Sequence, residues 1–367
     1  MRTTICAASA VAAATALLAA PASASAERGG DHDRGHRAST TIAVAGDIAC
    51  TPGEQGAPPN GQPNGPDSCQ HAQTAELVQS LNPDAVATPG DIQYQFGHYS
   101  EFLGSFDPTW GQFKSKIFPA AGNHEWYDQP NGAGYFDYFN GIGGPDGRAG
   151  VRSQGYYSVD LSPRWHLITL NSNCTSDNTL ITQPVPCGQG SPQERWLRAD
   201  LAAHRGQCII AQWHHPLYTS GSNQGGPNDL ATQSFWEDLY AGGATMVWNG
   251  HDHDYERFAP QDDQGQVDLG RGVREFVLGT GGKSLFSPAP PRPAANSQVF
   301  ADTTYGVTLF GLHRNSYDWR FYRESVAGNG TFVDQGSARC NRAGRDDNRD
   351  ARGGRRGPRG LGGAARA

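Results

Sequence analysis

Seven side chains share one setting in this sequence. Asp47, Asp91, Tyr94, Asn123, His214, His251 and His253 each stand in a polar cluster just after a short apolar run. Carboxylate, phenol, amide oxygen and imidazole are ligands for hard or borderline cations. Seven donors are too many for one tetrahedral ion and enough for two ions that share a carboxylate. A carboxylate bridges well because its two oxygens offer several lone pairs, and its charge offsets the repulsion between cations roughly 3.5–4 Å apart. Asp91 is the expected bridge. His251 and His253 stand two residues apart, so on an extended segment they project the same way and each can reach one of two adjacent ions. A tyrosine oxygen ligates poorly until it is deprotonated, which favours ferric iron beside Tyr94. The amide of Asn123 supplies an oxygen without adding charge.

Buried strands must carry these clusters. The largely apolar runs 41–45, 84–88, 117–121, 208–213 and 244–248 end in Gly46-Asp47, Gly90-Asp91, Gly122-Asn123-His124, His214-His215 and Asn249-Gly250-His251. Each reads as a strand running into a loop. Helical periodicity over Ala72–Leu81, Gln193–Ala203 and Gln233–Tyr240 alternates with these strands, as in an α/β fold. Tyr156–Leu161, Trp165–Asn171, Phe276–Gly279, Tyr305–Leu312 and Asp318–Glu324 read as antiparallel strands. The expected fold is a four-layer αββα sandwich of two mixed sheets. A single Gly-Asp pair at a strand end is more often a turn former than a ligand. Five such clusters at strand ends, where open α/β folds gather their sites, point to one centre.

Gly and Pro together make up 72 of the 367 residues, which implies a globular body with long connections. The apolar run from Ile5 to Ala20, followed by Ala24-Ser25-Ala26, reads as a secretory signal peptide over residues 1–26. The expected location is therefore extracellular, with no transmembrane segment left after cleavage. Residues 27–39 read as a flexible linker and 341–367 as a disordered Arg/Gly-rich tail, leaving one folded domain over 40–340. His32 and His36 in the linker offer weak metal binding at most. Six cysteines remain after the leader, an even number for an oxidising compartment. Loop lengths favour pairing Cys50 with Cys69, Cys174 with Cys187 and Cys208 with Cys340, among fifteen connectivities. The formal net charge is −7, with +6 over residues 339–367 and +1 over 1–38, so the body carries −14. An acidic body suits metal cations and speaks against nucleic acid as a partner. The basic tail could give weak cell-surface association.

Other signals are weaker. Gly279 to Ser284 superficially matches a phosphate-binding loop, but Val277 stands where that pattern needs Gly, so it is not one. Trp126-Tyr127 and the aromatic run 135–139 suit either a site wall or the core. Ser172, Ser220 and Ser222 lack the elbow motif of a serine nucleophile.

The ordered motifs Gly46-Asp47, Gly90-Asp91 with Tyr94, Gly122-Asn123-His124-Glu125, His214-His215-Pro216 and Gly250-His251-Asp252-His253-Asp254-Tyr255-Glu256-Arg257 resemble the calcineurin-like metallophosphoesterases. Within that superfamily the tyrosine of the second motif and the ending of the last look like purple acid phosphatases. The resemblance spans about Thr41 to Glu324. It implies that Asp47, Asp91, Tyr94 and His253 hold Fe(III), and that Asp91, Asn123, His214 and His251 hold a divalent ion (Zn, Mn or Fe). It leaves His124 free as the acid, and it makes Gly279 to Ser284 a strand-end turn with Lys283 in solvent. His214-His215-Pro216-Leu217-Tyr218 fits the family pattern with the first His as ligand, leaving His215 to bind phosphate or to support a ligand from behind. One departure is Ala49, where the family usually has glycine. Another is the short stretch before the first strand, with no room for the extra N-terminal β domain of the large plant enzymes.

The expected function is a secreted hydrolase of small phosphate monoesters, in which hydroxide formed at the metals attacks phosphorus and His124 protonates the leaving alkoxide. A phosphodiesterase or nucleotidase with the same centre is the alternative, and a non-catalytic surface-binding protein a remote one. Segments 129–155 and 219–230 are the expected walls of the substrate site.

Overall fold

The computed structural model describes residues 40–54, 69–128, 130, 132–176, 180–223, 226–286, 293–324 and 331–341. The expected leader, the linker with His32 and His36, and all of the expected tail except Asn341 lie outside these residues. The described residues belong to the unit Arg37–Ala367. None of their helices is long and apolar enough to cross a membrane.

Thirteen strands are described: β1 Thr40–Val44, β2 Ala85–Pro89, β3 Ile117–Ala120, β4 Tyr157–Ser162, β5 Trp165–Thr169, β6 Cys208–Gln212, β7 Met246–Asn249, β8 Tyr255–Phe258, β9 Arg274–Leu278, β10 Ser297–Ala301, β11 Gly306–Leu312, β12 Ser316–Arg323 and β13 Gln335–Arg339. They form a six-stranded sheet, β13-β12-β11-β1-β2-β3, and a seven-stranded sheet, β10-β8-β9-β7-β6-β5-β4. Both sheets are mixed. β1, β2 and β3 run parallel in the first, and β5, β6, β7 and β9 run parallel in the second.

The expected four layers follow from the alternation of side chains along the strands. Ile42 and Val44 face the core between the sheets, whereas Ala43 faces an outer core. In the other sheet Ile210, Met246 and Trp248 share the inner core, and Ile209, Ala211 and Val247 point away from it. Strands buried on both faces read as continuous apolar runs, as these do. The helix His71–Leu81 covers the first sheet with Ala75 and Val78, and the helices Pro192–Ala203 and Gln233–Gly242 cover the second with Leu197, Leu201, Phe235, Trp236 and Leu239. Pro192 at the first helical position and the Ser191 side chain, which accepts from the Glu194 backbone N–H at 3.1 Å, start the second of these helices.

Two details differ from expectation. Trp165–Asn171 and Phe276–Gly279 were expected among antiparallel strands, but β5 is antiparallel only to β4 and parallel to β6, and β9 is antiparallel only to β8 and parallel to β7. β13 carries no apolar alternation. It pairs with β12 at the sheet edge through backbone hydrogen bonds, which need no particular side chains. The three disulfides are Cys50–Cys69, Cys174–Cys187 and Cys208–Cys340, and the last ties the start of β6 to the end of β13.

Candidate metal centre

Parallel strands of the two sheets release their C-terminal loops at one edge of the sandwich, and backbone hydrogen bonds lock those loops together. The Asp47 N–H donates to Gly90 O at 3.1 Å, Ile48 to Asp91 O at 2.9 Å, and Tyr94 back to Ala49 O at 2.8 Å. The loops after β1 and β2 therefore continue as a ladder beyond the strands. Across the sheets, Gly46 N–H donates to Leu278 O at 2.9 Å, and within the second sheet Gly250 N–H, just after β7, donates to His214 O, just after β6, at 3.0 Å. The side chain of Asp47 adds a further link, accepting from the His251 backbone N–H at 3.0 Å.

The loops turn so sharply that Asp47, Asp91 and His251 all adopt positive φ, at 57°, 46° and 73°. That region is costly for residues with a Cβ and clusters at functional sites. Glycines beside the candidate ligands are needed for space. A Cβ on Gly122 would lie 2.1 Å from Asp91 Oδ1, and one on Gly90, itself at φ 89°, would lie 2.5 Å from His214 Nδ1.

Donor atoms converge accordingly. The Tyr94 Oη lies 2.9 Å from Asp47 Oδ1, 3.1 Å from Asp91 Oδ2 and 2.9 Å from His253 Nε2. His253 Nε2 is 3.3 Å from Asp47 Oδ1. On the other side of Asp91, Oδ2 is 3.1 Å from His214 Nε2, which is 3.0 Å from Asn123 Oδ1. The His251 ring centre lies 5.0 Å from that of His214. Ligands about 2.0–2.2 Å from a metal are spaced about 3 Å from one another in tetrahedral or octahedral shells. The donor spacings fit such shells, and Asp91 Oδ2 belongs to both groups.

Backbone carbonyls fix the imidazoles. Nδ1 of His214 faces Pro89 O at 3.0 Å, and Nδ1 of His253 faces Ser284 O at 2.5 Å, so each donates its Nδ1–H and turns Nε2 toward the centre. Asn123 is oriented by donating its amide to Tyr127 Oη at 2.7 Å, which leaves its oxygen facing His214. Glu125, buried beneath, accepts from the backbone N–H groups of Gly122 and Gln93 at 2.8 and 2.9 Å. Burial, with Asp91 nearby, pushes its carboxyl up to about 8.

The electrostatics of the ion-free centre are those of a proton standing where a cation fits. Burial alone would raise Asp91, but the charges and hydrogen bonds of His214 and His124 hold it well below the carboxylate range. Burial likewise opposes a charge on His214, yet Asp91 outweighs it and lifts the imidazole to about 9. Burial and then the Asp47 and Asp91 carboxylates push the Tyr94 phenol well above its ordinary value. A cation between these groups reverses that last balance.

His124 and His215, both outside the two donor groups, differ in access. His124 lines the cavity at the centre, which has a volume of about 320 Å³. Its Nδ1 lies 2.6 Å from Gln95 O and its Nε2 3.8 Å from Asp91 Oδ2. Burial draws it below the ordinary imidazole value, with Asp91 opposing. His215 is only 2% exposed and lies behind His251, ring centres 4.4 Å apart. It is held by Ser172, whose hydroxyl is 2.8 Å from His215 Nδ1 and accepts from the His215 backbone N–H at 3.0 Å.

Some of the surroundings differ from the sequence reading. The described residues of 129–155 contribute nothing to the cavity lining, because Tyr135, Phe136, Tyr138 and Phe139 of the helix Ala133–Asn140 pack into the outer core instead. Segment 219–230 supplies Asn223. Trp126 is core, and its neighbour Tyr127 is wall. Lys283, expected in solvent, is 14% exposed, lines the cavity and pairs with Glu54 at 2.5 Å. Phe286, stacked on His253 with ring centres 4.2 Å apart, had no sequence signal. Neither Lys283 nor Phe286 could be placed from local pattern, since each is far in sequence from the groups it meets.

A family model for calcineurin-like phosphoesterases matches residues 40–255. Purple acid phosphatase 15 of Arabidopsis thaliana is 27% identical over 214 residues, covering 50% of this chain and 38% of that protein. Purple acid phosphatase 18 of the same plant is 27% identical over 254 residues, covering 63% and 53%. The chain thus spans about two fifths to one half of the length of these curated relatives. A purple acid phosphatase from yellow lupin (Lupinus luteus) seeds has the same fold, with a TM-score of 0.58, 19% identity, and coverage of 81% of this chain and 53% of that one. With the matched family model reaching from β1 into the His251–Tyr255 loop, the chain belongs to the calcineurin-like phosphoesterase family, where it resembles the purple acid phosphatases.

Proposed function

We propose that this chain is a secreted, binuclear metal-dependent hydrolase of phosphate monoesters, with 40–340 as its catalytic domain, 1–26 as its leader and 341–367 as a basic tail. The observation that carries the reading is the sharing of Asp91 Oδ2 between two sets of donor atoms, 3.1 Å from Tyr94 Oη on one side and 3.1 Å from His214 Nε2 on the other. Asp47, Asp91, Tyr94 and His253 hold one ion, Fe(III), and Asp91, Asn123, His214 and His251 hold a divalent one. Two such cations supply Lewis acidity toward phosphate oxygens and a water acidic enough to act as nucleophile near neutral pH.

The chain's own groups do the rest. Pro89 O and Ser284 O keep His214 and His253 turned inward, and Tyr127 keeps the Asn123 oxygen inward. His124 commits Nδ1 to Gln95 O, so a proton on Nε2 is the one available to a leaving alkoxide at the cavity. His215, sealed behind His251, steadies that ligand rather than touching phosphate. Paired cysteines and similarity to purple acid phosphatases support secretion.

The test is metal analysis of purified protein alongside hydrolysis of phenyl phosphate and diphenyl phosphate. Two ions per chain and faster turnover of the monoester are expected. No more than one ion under any loading condition removes the binuclear reading, and faster diester turnover moves the substrate class to phosphodiesters.

A further inference from the structure

Among the described residues that line the cavity, Lys283 is the one side chain with a permanent positive charge. Its backbone is fixed. The Lys283 N–H donates to Asp47 O at 2.9 Å, and a Cβ on the preceding Gly282 would lie 2.4 Å from the His71 backbone, so the turn is packed tightly against its neighbours. The side chain then runs over the Tyr94 ring, with Nζ 5.2 Å from its centre. It ends on Glu54, which also accepts from the Thr51 N–H at 3.2 Å. Lys283 is therefore a cation on a flexible stem, rooted beside Asp47 and lining the cavity wall between the Tyr94 ring and Glu54.

Its present partner is easily exchanged. Glu54 is 31% exposed and can be hydrated when the lysine leaves it, whereas Lys283 is 14% exposed and needs an anion or water where it stands. A doubly charged phosphate competes well with a single carboxylate for such a cation. We infer that Lys283 forms a second anion subsite, so that the phosphate monoester taken here carries a further negative group on its leaving side. This rests on the phosphomonoester reading above. Lys283 binds the distal anion, and Glu54 occupies it until substrate arrives.

The two partners make opposite predictions, which a purely structural ion pair does not. The probes are phenyl phosphate and hydroquinone bisphosphate, which differ by the distal phosphate. In the wild type the ratio of kcat/KM for the bisphosphate over the monophosphate is expected well above one. Lys283→Met should lower that ratio about tenfold or more. Lys283→Arg should keep most of it, and Glu54→Gln should raise it by removing the competitor. Calorimetric binding of phenylphosphonate and phenylene bisphosphonate, which are not hydrolysed, should follow the same order. A ratio unchanged in Lys283→Met, or Glu54→Gln shifting it in the same direction as Lys283→Met, overturns the subsite while leaving the phosphatase reading intact. A wild type that turns over neither ester removes both.

Discussion

Asp91 Oδ2 lies 3.1 Å from His214 Nε2, and both residues are almost sealed from water, at 2% and 0% exposure. The same oxygen faces Tyr94, so this carboxylate cannot be replaced by a neutral group without affecting both halves of the centre. Asp91→Asn should leave fewer than two ions per chain and lower turnover by about 10²-fold or more. Metal analysis and single-substrate kinetics on the same preparation check this. Two tightly held ions in the variant contradict it.

The His214 proton gives the ion-free protein a pH signature. Its folded value of about 9 lies above the ordinary 6.5, so it contributes stability in full below 6.5 and loses it as pH rises through 9. Chelator-treated protein should therefore melt at progressively lower temperature across that alkaline window. Metal-loaded protein should not, because its ligating nitrogen has no proton left to lose. Loading near pH 7 should also release a proton, read as a dependence of the binding heat on the buffer. A flat ion-free profile, or no proton release, rejects this account.

His124 reaches the cavity without belonging to either donor group. His124→Ala should slow hydrolysis of alkyl phosphates by about 10²–10⁴-fold while metal content stays near two. Esters with good leaving groups should suffer less, since they need little protonation. Equal losses for good and poor leaving groups argue against an acid role.

Tyr94→Phe bears on the identity of the first ion. If that ion is ferric, the wild type should show a visible tyrosinate-to-iron band that the variant lacks. A colourless wild type that is fully active with zinc or manganese removes iron from the centre.

Gly122 has no room for a side chain. Gly122→Ala places a methyl group 2.1 Å from Asp91 Oδ1 and must push that carboxylate aside. The expected result is a loss of about 1–3 kcal/mol in stability together with weakened metal binding. Denaturation and metal titration read the two effects separately, and a variant with wild-type metal affinity would show that the loop can give way.

Local residue pattern was enough to name the kinds of groups at the centre and the strands that carry them. Ligand type is a local property, and strands buried on both faces leave unbroken apolar runs ending in Gly-Asp, Gly-Asn and Gly-His. The antiparallel hairpin β4–β5 and the three amphipathic helices were legible for the same reason, because period-two and helical patterns are written into neighbouring residues. Tertiary structure alone decided which Asp91 oxygen faces both donor groups, that His215 is sealed behind His251, and that Lys283 turns from solvent to the cavity wall. It also decided that the aromatic helix Ala133–Asn140 fills the core rather than walling the site. Each of these outcomes depends on a partner dozens to hundreds of residues away. Only the pairing of distant strands, the packing of helices on the sheets and the meeting of the two sheets at a shared edge bring such partners together.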